Sequence, residues 1–125
     1  MELNPEIDLD VNIHDLTKEF KDLSLKLYRY YKHKALLEAS RDLAKAVLKE
    51  TRAEVYKELK SNVAVKHTEN SLEAHIDSDA RVMEAQRKLI RATHDAETWV
   101  GAVDSMKAKK DCLIQLGSDR RKEIG

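Results

Sequence analysis

Little in this chain can build a sheet, a crosslink or a loop-borne active site. Its 125 residues include one cysteine, one proline and three glycines, and aromatic residues make up 5%. A single thiol, Cys112, excludes an internal disulfide and is compatible with a reducing cytoplasm. Scarce glycine and proline leave few tight turns, which disfavours sheets and catalytic loops and favours long charged helices. No apolar run approaches the roughly 20 residues that span a bilayer, and no stretch reads as a signal peptide. A soluble, cytoplasmic protein that does not enter membranes is expected.

Chemistry-bearing patterns are equally sparse. No glycine-rich phosphate loop, Ser-His-Asp set or carboxylate pair stands out from a background that is 37% charged. The histidines (His14, His33, His67, His75 and His94) form no i, i+4 pair, and the His67–His75 gap fits no common zinc pattern. Cys112 lies near Lys109 and Lys110, but a reactive nucleophile also needs a base and a pocket, so it reads as structural. The expectation is a non-enzyme with no metal and no cofactor.

Net charge is zero, which taken alone argues against a nucleic-acid partner. Its distribution argues for one. Residues 1–20 carry −5, 21–66 carry +6, 67–104 carry −4 and 105–125 carry +3. Basic charge segregated in this way is what an anion-binding surface requires.

The chain organises around one long helix predicted over residues 13–60. Ile13, Leu16, Phe20, Leu23 and Leu27 recur at helical spacing, and no glycine or proline interrupts them. Asp10 or Asn12 is the expected N-cap. Farther along, Leu36, Leu37, Leu43, Ala44, Val47, Leu48, Val55 and Leu59 form a broad apolar arc. Beside it runs a second stripe: Tyr30, Lys34, Arg41, Lys45, Lys49, Arg52, Tyr56 and Lys60, in steps of three, four or seven that share one side of a helix. Such a stripe can be a solvated face stitched by pairs such as Asp42–Lys45. It can also bind single-stranded nucleic acid, with cations along the phosphates and tyrosine rings stacked on bases. All four tyrosines (Tyr28, Tyr30, Tyr31 and Tyr56) lie in this one basic region, which favours the second reading.

Residues 61–66 read as a connector and 71–76 as a short helix. A second long helix is predicted over residues 79–116, with Asp77, Ser78 and Asp79 as candidate caps. Val82, Ala85, Leu89, Ala92, Ala96, Trp99, Val103, Met106 and Leu113 fit a heptad register that only Lys110 interrupts. Leu89, Ala92, Ala96, Trp99, Val103 and Met106 are the expected oligomer interface. Gly117 is placed to end the helix in a left-handed cap. The fold class predicted is all-α: a long helical hairpin with a short connecting helix, coiled-coil-like packing and homo-oligomeric assembly. Residues 1–12 read as an acidic lead-in, extended or loosely held, 13–117 as the hairpin domain and 118–125 as a mobile basic tail.

The run Ile76-Asp77-Ser78-Asp79-Ala80-Arg81-Val82-Met83-Glu84-Ala85-Gln86 resembles an SDxRVxEAQ element of the recombination mediator proteins of T-even-like phages, the UvsY family. Similar stretches follow at Gly101-Ala102-Val103, at Met106-Lys107-Ala108-Lys109-Lys110-Asp111 and at Leu116-Gly117, so the resemblance covers residues 25–117. Ala80 stands where many members have proline, a position that alanine also suits. The resemblance implies a helical protein forming a homo-oligomeric ring of about six to eight copies, a closed cyclic assembly. It would bind single-stranded DNA, displace a single-strand-binding protein and load a RecA-like recombinase, in the host cytoplasm if phage-encoded. The family's Leu-Lys-x-Arg DNA-contacting element is nearest to Leu48-Lys49-Glu50-Thr51-Arg52, which has one residue more between Lys and Arg. Lys49 and Arg52 also stand on the stripe found from spacing alone. The competing expectation is a coiled-coil structural or assembly adaptor that does not bind nucleic acid.

Overall fold

Nothing between Leu16 and Ser61 breaks a helix, and good helix formers dominate the stretch. The computed structural model describes residues 3–12, 14–62 and 67–124. Among them lie α1 (Pro5–Asp8), α2 (Leu16–Ser61), α3 (Glu69–Ser78) and α4 (Ala80–Ile124). Of the described residues 90% are helical and none is in a strand, and the two long helices pack against each other. At roughly 1.5 Å per residue, the 46 residues of α2 make a rod about 70 Å long.

Local chemistry sets the helix starts. Asp15 caps α2, its Oδ1 accepting from the Lys18 amide at 3.1 Å. Asp10 and Asn12, the expected caps, do not serve: Asn12 Oδ1 accepts from the His14 amide at 3.0 Å, while the Asn12 amide donates to Glu19 at 3.1 Å. The predicted start at Ile13 lies outside the described residues, as do residues 63–66 of the predicted connector. Thr68 caps α3 through the Ser71 amide at 3.2 Å. Asp79 takes extended backbone angles (φ −66°, ψ 133°), ends α3 and caps α4, its Oδ1 accepting from the Arg81 amide at 2.8 Å.

The chain divides into two compact units. The first comprises Met1–Leu36 and Glu97–Gly125. Its core joins Leu16, Leu23 and Tyr30, seven residues apart on α2, to Val103, Met106 and Leu113 on α4. That spacing brings one stripe of each helix into the seam. The predicted loose lead-in is ordered here. Leu3, Leu9 and Val11 pack on the core, and α1 carries Asp8 into it. There Asp8 Oδ2 accepts from the Tyr30 hydroxyl at 2.7 Å and Oδ1 lies 3.4 Å from Lys26 Nζ.

Lys109, not Lys110, is the cation turned inward. It is buried, pairs with Glu19 at 2.9 Å and donates to the backbone carbonyl of Asp8. Burying an ammonium is tolerable because both contacts satisfy it. Burial pushes the Glu19 carboxyl up, but the hydrogen bonds from Lys109 and the Asn12 amide, with the charges of Lys109 and Lys26, outweigh this and leave it below its ordinary value. The Tyr30 hydroxyl is raised, first by burial and then by its bond to Asp8.

Two further expectations fail in this unit. Gly117 does not end α4: it takes no positive φ, and the helix continues to Ile124. Leu116 packs on the core just before Gly117, and a Gln115–Asp119 side-chain bond of 3.0 Å spans it. The supposed mobile tail is therefore helical.

The second unit is Leu37–Ala96. Val55, Ile76 and Val82 form its buried cluster, with Leu48 and Leu59 packed against it. Leu72, one turn before Ile76 on α3, is also buried, as is Ala85. Arg81 fastens α4 to α2 with a forked contact on Glu58 (2.8 and 2.6 Å) and also bonds Asp79 at 3.1 Å.

The expected oligomer face is largely occupied by this chain itself. Val103 and Met106 are core residues of the first unit, where Trp99 lies half-buried with its ring 5.4 Å from Tyr30 and 4.2 Å from His33. In the second unit Ala96 is buried, and Leu89 and Ala92 are half-buried. A heptad stripe seeks any apolar partner, and α2 supplies one from the same chain.

Candidate nucleic-acid interface

Helical spacing put eight residues on one stripe of α2, but packing sorts them. Tyr30 is fully buried with its hydroxyl bound to Asp8, so it cannot stack on a base. In the same unit Lys34 is half-buried, with its ammonium 6.0 Å from the Tyr31 ring centroid.

The remaining six lie in the second unit. Arg41 is half-buried and contacts the exposed, adjacent Asp42 at 3.3 Å. Lys45, Lys49 and Lys60 are exposed. Arg52 reaches α3, where Nη1 donates to Asp77 Oδ1 at 2.7 Å. Tyr56 is exposed, and the Lys60 ammonium sits 5.7 Å from its ring centroid. That is within the range of a cation–π contact, an arrangement that presents a ring and a cation together. Lys45, Lys49, Arg52, Tyr56 and Lys60 thus form the accessible row.

Reasoning from sequence missed partners supplied by other helices. In the first unit Lys107 of α4 places its ammonium 5.3 Å from the Tyr31 ring centroid. The contact with Tyr31 holds the Lys107 pKa above its ordinary value. In the second unit a groove of about 370 Å³ is lined by Arg52, Asp77, Val82, Met83, Gln86 and Arg87. Nothing in the spacing of α2 could reveal these contacts, because their partners lie 25 or more positions away.

Other candidates fit a phosphate less well. A cavity of about 490 Å³ in the first unit is lined by Asp10, Asp15, Glu19 and Asp22 beside Lys18, Lys26 and Lys109. Its four carboxylates repel an anion. His67 and His75 bring their rings to 5.0 Å, edge to face, but no group of three or more metal-ligating side chains gathers among the described residues. Cys112 is a free, exposed thiol. No helix among the described residues is long and apolar enough to cross a membrane.

Compared with protein-family models, curated proteins and solved structures, the chain matches none.

Proposed function

We propose that this protein binds single-stranded DNA and acts as a recombination mediator, helping a RecA-like recombinase replace a single-strand-binding protein. The observation that carries the reading is the row of exposed Lys45, Lys49, Tyr56 and Lys60 with half-buried Arg52 on one uninterrupted helix. Lys45, Lys49 and Arg52 lie three or four residues apart, about 5–6 Å along the helix axis, so that they can meet successive phosphates of one strand. Tyr56 offers a ring on which a base can stack whatever its sequence. The mediator role itself comes from the family resemblance and goes no further than it.

One copy of this row is a weak site. Several copies on one strand gain avidity, which reconciles zero net charge with useful affinity. With the heptad face covered, assembly contacts fall to apolar residues left outside, such as Leu43 (67% exposed) and Ile90 (58%) in the second unit.

Fluorescence anisotropy with a labelled single strand, a duplex control and a salt titration tests the reading. Wild type should prefer the single strand, with affinity falling as salt rises. Lys49→Ala combined with Arg52→Ala should weaken binding and flatten the log–log salt slope by about 1.4, the loss of two phosphate contacts on a single strand. Unchanged affinity and slope in the double variant would remove the row as the DNA site. No binding by wild type at low salt would favour the adaptor reading, for which the exposed Leu43 and Ile90 are the natural contacts.

A further inference from the structure

The two long-range arginine contacts of the second unit differ in kind. Arg81 is gripped on both sides, by the two oxygens of Glu58 and by Asp79. Arg52 makes a single 2.7 Å bond to Asp77. Guanidinium presents five N–H donors in a planar fork, so most of its donors remain for another acceptor. The side chains of Arg52 and Asp77 are 40% and 63% exposed, and an ion pair in water holds only weakly. Asp77 also lies in the last turn of α3, where the helix dipole disfavours a carboxylate.

The same pair sits in the groove that Val82, Met83, Gln86 and Arg87 complete. Arg87 meets Glu84 of its own helix in a 3.4 Å contact between exposed side chains three residues apart. Two guanidinium groups, an apolar wall and an amide therefore face one space, with a displaceable carboxylate among them.

Resting on the single-strand-binding reading, we propose that this groove is a nucleotide subsite and that Asp77 competes with phosphate for Arg52. A phosphate of the strand replaces the Asp77 carboxylate on Arg52, and Arg87 supplies a second cation from α4. The apolar wall of Val82 and Met83 receives the base, whose edge the Gln86 amide can reach. In the absence of DNA, Asp77 neutralises Arg52 and suppresses binding of unrelated anions. The exchange creates no unpaired buried charge, because the released carboxylate already faces water.

The test is anisotropy with fluorescein-labelled oligo-thymidine on the full chain. Asp77→Asn should tighten binding about three- to tenfold at low salt, because the phosphate no longer competes with a carboxylate for Arg52. In an Arg52→Ala background the gain should vanish. Glu73→Gln, which removes an exposed charge elsewhere on α3, should leave affinity within twofold of wild type. Far-ultraviolet circular dichroism checks that each variant keeps its helix content. Wild-type binding that Asp77→Asn leaves unchanged would overturn the subsite alone. So would a gain that persists without Arg52, or one that Glu73→Gln reproduces. No binding by wild type or by Asp77→Asn would overturn the subsite together with the function on which it rests.

Discussion

The two compact units use charge in opposite ways. In the first, Asp8, Glu19, Tyr30 and Lys109 are drawn into the seam between helices and bonded to one another. In the second, the seam is apolar and the ion pairs Arg52–Asp77 and Arg81–Glu58 stand at the surface. A buried pair has no competing water, so losing one partner strands the other. An exposed pair exchanges readily with solvent and with ligand anions. The first arrangement suits a fixed scaffold, the second a surface that must release its own contacts in order to bind.

The contrast is most sharply broken by Lys109→Ala. Removing this ammonium leaves Glu19 with the Asn12 amide but no paired cation, and the Asp8 carbonyl without its donor, and the expected loss is about 3–5 kcal/mol in urea unfolding. Arg52→Ala, at an exposed pair, should cost less than about 1 kcal/mol. Equal losses in the two variants would erase the distinction.

Acid should reveal the same difference more gently. The Glu19 carboxyl lies below its ordinary value of 4.5, so the folded chain binds its proton less readily than the unfolded chain. Its contribution is therefore complete above that value and is lost as pH falls below it, towards the lowered value. The Arg81 hydrogen bond likewise holds Glu58 below 4.5, although partial desolvation opposes it. Salt should weaken the exposed Glu58 contribution and spare that of Glu19. In a pH series at low and high salt, hydrogen exchange in the first unit should remain the less salt-sensitive. Stability that rises on acidification below 4.5 would contradict both assignments.

The smallest expected effect separates glycines with a role from those without. A Cβ at Gly101 meets nothing within 4 Å, and one at Gly117 meets the Phe20 ring at 3.6 Å, an ordinary contact. Neither takes a positive φ. Alanine at either position should stabilise α4 by about 0.5–1 kcal/mol, read as a higher midpoint in thermal unfolding. A loss at Gly117 would mean that Phe20 cannot give way.

Helical periodicity made the long helices legible because α2 has no breaker and the stripe of α4 repeats over several turns. It failed where the outcome depended on another element. Gly117 reads as a stop signal, yet contacts on either side carry the helix through it. Trp99, Val103 and Met106 read as an interface, which they are, but with α2 of the same chain. Within the candidate site, the spacing that placed Lys45, Lys49 and Lys60 on one face could not show that Tyr30, on the same stripe, turns into the core.

The sequence by itself determined that this protein is built from long helices and that its basic charge gathers on one of them. Both are local properties, set by propensity, by spacing and by the near absence of glycine and proline. Only the tertiary structure decided which charges are buried and which meet water. That choice depends on residues far apart in the chain: Asp8 on Tyr30, Glu19 on Lys109, and Asp77 on Arg52. Desolvation is a property of the packed seam, and no pattern along a single helix records it.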